Sequence, residues 1–284
     1  MQIHDKALLV RLSVSMPSNS RTDKPITGEV ITNHSLAPKA GRWNKSLYPT
    51  TAFEPLVTVS GSARTYSYAH TLPWLDDGWR ILPTSLYSEY CAKIRGFRLQ
   101  FEDLAESHFL SQLPRWEAEA KKMHNSTFRA EDYLPVVKLR RKFKFKTDCQ
   151  PIPSANDFRC ALTDDDRLAL AADMQIRLDA AVQAAQSDLW ERLLTPLIAL
   201  AGRLKDSDSS IRASSINALN EVALLVPKLN LTGDTKLVAF ASQVASLAKF
   251  IDPLQINEFS SSRNAAALAA DAILAKMSGY LPTA

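Results

Sequence analysis

From Thr163 onward the chain repeats large apolar residues at three- and four-residue steps, a spacing that only an α-helix gathers onto one continuous face. Leu168, Ala172, Ile176 and Leu178 open a stripe that continues through Trp190, Leu193 and Leu197, and Pro196 predicts a kink in it. Thr163, three residues before Asp166, resembles a capping box, and Asp164-Asp165-Asp166 suits the positive end of a helix. Three further helices are expected at about 208–226, 233–250 and 260–278. Pro227 with Asn230 and Gly233, then Asp252-Pro253, separate them, and Gly279 ends the last. Ile211, Ile216, Leu219, Val222 and Leu225 form one buried side, and Leu237, Phe240, Val244, Leu247 and Phe250 the next. Short connections between such helices give an antiparallel bundle.

The N-terminal half reads differently. Residues 6–16 alternate well enough for a strand ending at Pro17. Residues 17–80 are rich in Pro, Gly, Ser, Thr and Asn, with short strand candidates at 26–30 and 55–60, and read as an extended arm without helical period. Asp77-Gly78 favours a tight turn between Trp74 and Trp79. A helix then begins near Thr84 or Ser85. Its stripe of Leu86, Tyr90, Ile94, Phe97, Phe101, Leu104 and Phe109 runs to about Leu113, where Pro114 breaks or kinks it. The fold class is therefore α+β, with an N-terminal region at 1–162 and a helical bundle at 163–284, separate or sharing one core.

Cys91, Cys149 and Cys160 are widely spaced and odd in number, which favours a reducing compartment over a disulfide framework. No stretch approaches a membrane span, and Arg11 interrupts the apolar start, so a cytoplasmic protein without membrane contact is expected. The formal charge of +4 is uneven: residues 1–150 hold 22 Lys/Arg against 15 Asp/Glu, and residues 151–284 hold 12 against 15. A polyanion would meet the N-terminal half.

Known chemistry finds little to hold. The five histidines lack metal-ligand spacing, no glycine-rich phosphate loop or serine elbow is present, and three consecutive aspartates at a helix start do not converge on one ion. No catalytic residue, metal or cofactor is expected. The segment Arg140-Arg141-Lys142-Phe143-Lys144-Phe145-Lys146 stands out instead. Read as a strand, it puts the phenylalanines on one face and the lysines on the other. The basic edge, with Arg11, Arg42 and Lys45, suits phosphates, while Phe143 and Phe145 either stack on bases or fill a core. The arm's Trp43, Tyr48, Phe53, Tyr66, Tyr68 and Trp74 are candidate contact anchors, on the chain's own core or on a neighbouring subunit.

The strand at residues 8–15, Gly78-Trp79-Arg80-Ile81-Leu82-Pro83 before a long helix, Pro151-Ile152-Pro153 followed by Asp157-Phe158-Arg159, and the helical tail together resemble a family of bacteriophage and bacterial proteins, the domain-of-unknown-function proteins of the 3150 type. The resemblance is one of layout. It implies a phage or mobile-element origin and carries over no catalytic residue. Charge pattern and origin together favour a non-enzymatic protein that binds DNA non-specifically, preferentially single-stranded, through a basic edge in a homo-oligomer. The alternatives are a structural or scaffold homo-oligomer and a metal-dependent enzyme of DNA metabolism.

Overall fold

A computed structural model describes residues 3–75, 78–154 and 163–277. In chain order the elements are β1 (Ala7–Ser15), β2 (Ser20–Thr22), α1 (Lys24–Asn33), β3 (Asn44–Ser46), α2 (Glu54–Ala69), β4 (Leu72–Pro73), β5 (Arg80–Pro83), α3 (Tyr87–Leu104), α4 (Leu113–His124), α5 (Val136–Arg140), β6 (Lys144–Pro151), α6 (Asp164–Lys205), α7 (Ala213–Leu229), α8 (Thr235–Phe250), α9 (Pro253–Glu258) and α10 (Ser260–Met277). This is an α+β chain: a small antiparallel sheet near the N-terminus, a long helix, and helices at the C-terminus. The sheet runs β4-β5-β1-β6, and β2 pairs with β3 separately.

The chain divides into two compact units. One unit comprises Met1–Arg11, Tyr68–Tyr90 and Asp148–Ala284; the other comprises Leu12–Ser67 and Cys91–Thr147. The boundaries fall inside β1, α2, α3 and β6.

In the first unit β1 pairs with β5 from Ala7↔Pro83 to Val10↔Arg80. The helices α6 to α10 pack as the expected bundle. Thr163 caps α6, its Oγ1 accepting from the Asp166 N–H at 3.2 Å. α6 runs unbroken through Pro196 for 42 residues. Its burial starts only at Leu178, so Leu168 and Ile176, expected on the buried stripe, are exposed. Periodicity shows a helical face but not whether anything packs on it. Phe250, also expected inside, is 65% exposed. Pro227 sits inside α7, two residues before its end, instead of separating helices. The separator is Asn230, whose side chain accepts from the Asp234 N–H and donates to the Asp234 carbonyl, while Gly233 takes φ +72°.

Arg263 closes the C-terminal end of α6. Its buried guanidinium donates to the carbonyls of Leu204 at 3.0 Å, Arg203 at 2.7 Å and Asp206 at 2.6 Å, and to that of Ser209. Those oxygens belong to the helix end and its loop, where no intrahelical donor remains.

In the second unit, two segments of the supposed arm are helices. Asp23 caps α1 by accepting from the Ile26 N–H at 3.3 Å, and Pro25 occupies the first turn. Residues 26–30, expected as a strand from their β-branched side chains, are thereby helical. Residues 55–60 are also helical, in α2, whose buried face is Leu56, Ser60, Ala63 and Ser67. Three of those four are small residues that hydropathy does not mark as a core face.

The helix expected from Thr84 to Leu113 is segmented: a 3₁₀ turn at Thr84–Leu86, α3, then a π-turn at Ala105–Leu110 closed by Ser111 N–H to the Glu106 carbonyl at 2.9 Å. Pro114 lies in the first turn of α4 and so starts a new helix. Tyr48 sits at the centre of the core, edge-on to Phe109 and Tyr133 at 5.3 Å and tilted to Phe53 at 6.2 Å. Asn19 straps its backbone, accepting from the Tyr48 N–H at 2.7 Å and donating to the Tyr48 carbonyl at 3.0 Å. Asp77, Asp157, Phe158, Arg159, Cys160 and Gly279 lie outside the described residues.

Two substitutions test this packing by urea denaturation. Arg263→Met strips four carbonyls of a charged donor and should cost roughly 3–5 kcal/mol. The Tyr48 hydroxyl is buried without a hydrogen-bond partner among the described residues. Tyr48→Phe keeps the ring contacts and should leave stability unchanged or raise it by about 1 kcal/mol.

Candidate nucleic-acid interface

The basic segment is not one strand. Arg140 ends α5, Arg141 and Lys142 form a turn closed by Lys142 N–H to the Leu139 carbonyl at 2.8 Å, and β6 begins at Lys144. The Ser15 hydroxyl donates to the Lys142 carbonyl at 3.1 Å and ties this turn to the end of β1. Alternation holds from Lys144 onward: Lys144 and Lys146 are exposed, and Phe145 between them is 6% exposed.

Both phenylalanines pack inward. Phe143 meets Phe109 at 5.2 Å and Phe101 at 6.3 Å, and Phe145 meets Phe101 at 5.8 Å. Phe143 remains half-buried, Phe145 is buried, and so they form no open stacking platform of the kind an extended basic-aromatic strand would offer.

Beside them opens a groove of about 350 Å³. Phe101, Ala105, Leu110 and Phe143 form its apolar side, and Glu102, Glu106, Arg140, Lys144 and Lys146 its polar side. The π-turn adds one residue to the helical turn and so places Glu106 toward Arg140 while Phe109 and Leu110 stay buried. Arg140 grips Glu106 with two bonds, Nε to Oε2 at 3.1 Å and Nη2 to Oε1 at 2.6 Å. Arg140 is thus partly neutralised, whereas Arg141, Lys142, Lys144 and Lys146 have no carboxylate within 4.0 Å among the described residues.

The remaining expected cations are held in different ways. Arg42 is exposed in the second unit. Arg11, in the first unit, pairs with Asp148 at 3.2 Å and lies 4.7 Å from the Trp79 ring centroid. Lys45 is not at a surface at all: it is 5% exposed, with Nζ 2.6 Å from Asp132 and 3.2 Å from Asp23, and donates to the Thr127 carbonyl at 3.0 Å. Arg21 reaches Asp132 at 3.1 Å and Arg129 reaches Asp23 at 3.9 Å. This cluster joins the start of α1, β3 and residues 127–132, so Lys45 is a structural cation, removed from any phosphate. Burial opposes ionisation of Asp23, but the Ile26 N–H, Lys45 and Arg129 outweigh it and hold the carboxyl below its ordinary value.

The expected anchors also divide. Tyr48 and Phe53 are core residues, and Tyr66 is half-buried against Phe97 at 6.1 Å. Trp74 is half-buried, Tyr68 is exposed beneath the Arg80 guanidinium at 4.5 Å, and Trp43 is 52% exposed. The Tyr133 hydroxyl donates to the Leu47 carbonyl at 2.8 Å, and burial, with Asp132 and Glu117 nearby, pushes its pKa up to about 12. No three side chains of His, Cys, Asp and Glu converge on a metal site, and no helix is long and apolar enough to cross a membrane, among the described residues.

Sequence reasoning missed Glu102, Glu106 and the groove. Glu106 was legible only as a charge on a solvated helix face, because the π-turn that redirects it leaves no mark in the periodicity. No family model, curated protein or solved structure matches the chain.

Lys45→Met leaves Asp23 and Asp132 short of their shared cation and should cost about 3–5 kcal/mol in urea denaturation. Asp23 is depressed in the fold, so its contribution is complete above the unfolded value near 3.8 and is lost as pH falls through the lower folded value. Stability measured from pH 6 downward should therefore fall on acidification, and less steeply in Asp23→Asn.

Proposed function

We propose that the protein is a non-enzymatic binder of DNA that contacts the phosphate backbone without sequence preference, favours single strands, and works as a homo-oligomer. One observation carries the reading: Arg141, Lys142, Lys144 and Lys146 are four exposed cations within six residues, free of carboxylate partners among the described residues, while their hydrophobic neighbours are packed away. Cations that are fixed by a packed turn and strand, and not neutralised within the fold, suit a row of phosphates. Trp43 remains exposed as an anchor for a neighbouring copy. A host-cell cytoplasm and a phage origin go with this reading, on the resemblance of layout.

A second reading has its own support. β6 is the outer strand of its sheet, and lysines on an edge strand prevent other chains from adding to it. On that reading the protein is a structural oligomer and the lysines keep its sheet edge free.

The two separate in one experiment. Lys142, Lys144 and Lys146 are replaced together by alanine, and binding of labelled single- and double-stranded oligonucleotides is followed by fluorescence anisotropy across a salt series. Nucleic-acid binding predicts weaker affinity and a log–log salt slope flatter by about 2, three lost contacts at about 0.7 each. Wild-type protein that binds neither DNA form at low salt removes this function. A variant that instead self-associates, seen by light scattering, favours edge protection.

A further inference from the structure

A groove built only for phosphate would not carry Glu102 and Glu106 beside its lysines. The two carboxylates oppose an anion, yet they line the same groove as Lys144 and Lys146. We infer that the groove receives a nucleobase, turned out of a single strand, that bears an exocyclic amino group, while the lysines hold the phosphates on either side. The inference rests on the nucleic-acid reading and supplies the source of its preference for single strands.

The chemistry of the two sides is complementary to such a base. Phe143, half-buried and edge-packed on Phe109, borders the groove with Phe101 and Ala105 and gives it an apolar side without an open ring face to stack on. At about 350 Å³ the groove falls within the usual range for small-ligand sites, roughly 300–1,000 Å³.

Glu102 is the more weakly held acceptor. Its charge partner is Arg98 at 3.7 Å, a long contact between two exposed side chains that competes weakly with a new donor. An amino group such as cytosine N4 donates to a carboxylate, whereas thymine has a carbonyl at that position and only its N3–H, one atom further along the edge, as a donor. Glu106 acts through Arg140. Its two bonds fix that guanidinium at the groove and leave Nη1 uncommitted among the described residues. Nη1 is a donor suited to the carbonyl of the same base or to an adjacent phosphate.

A base paired in a duplex has its amino edge occupied and its faces stacked, so only a single strand can fill the groove without a cost in unstacking. The lysines then supply affinity, and Glu102 supplies discrimination.

The test compares oligo-dC with oligo-dT of equal length by fluorescence anisotropy. Both are pyrimidine strands with the same backbone; they differ at the C4 substituent, at N3 and at the C5 methyl, so the Glu102→Leu variant assigns any preference to the carboxylate. Wild-type protein should prefer oligo-dC by about fivefold, the worth of one net hydrogen bond. Glu102 is exposed, so Glu102→Leu should fold normally; it should abolish the preference and leave the salt slope unchanged. Equal wild-type affinities for the two strands, with binding still weakened by the triple lysine substitution, overturn the base site and leave phosphate binding standing. A preference that survives in Glu102→Leu also overturns it. Binding to neither strand removes both the base site and the function it rests on.

Discussion

The packing of Phe143 and Phe145 against Phe101 and Phe109 determines what the basic segment presents to solvent. Burying a phenylalanine is worth about 2–3 kcal/mol and removing one from a core costs about 3–5 kcal/mol, so these rings anchor the chain at the point where α5 turns into β6. With Phe145 inside, alternation along the strand leaves Lys144 and Lys146 outside. The direction of the charges therefore follows from a hydrophobic contact. The same contact positions the backbone of Lys142, which Ser15 then ties to β1.

A second constraint lies deeper in that unit. Lys45 satisfies two carboxylates that belong to distant parts of the chain, Asp23 at the start of α1 and Asp132 after the turn at Ala130–Asp132. A buried ion pair contributes little net stability compared with a well-packed apolar group, but each member is costly to leave alone. Such a cluster specifies which segments meet. Here it ties β3 and the start of α1 to residues 127–132 within a Pro- and Ser-rich stretch of sequence.

The bundle was legible because its helices carry Leu, Ile and Val at helical steps between clear stop signals, and Thr163 caps α6 as its spacing indicates. The arm was not. α2 hides its core face in Ser60, Ala63 and Ser67, and α1 depends on Asp23 and Pro25 against a run of β-branched residues. In both, local capping and close packing prevail over the propensities that a window of sequence reports. Of the basic site, exposed Lys144 and Lys146 and inward Phe145 follow from alternation along β6, while Lys142 and Phe143 precede the strand. The burial of Lys45 does not, since only the fold brings two aspartates to it, and the π-turn that turns Glu106 toward Arg140 is likewise invisible to a 3.6-residue period.

The mixed signs of the groove bear on how strongly it could hold a polyanion. On the proposed reading, Glu102 and Glu106 weaken the pull of Lys144 and Lys146 on a phosphate, so the four cations of a single copy that are unpaired among the described residues hold a strand weakly. Weak contacts of this kind become effective when several are joined on one strand, where each bound copy raises the local concentration seen by the next. An oligomer would thus add the affinity that the carboxylates remove. On the inferred base site, the carboxylates would let each groove distinguish a base edge from a phosphate, which a surface of lysines alone cannot do.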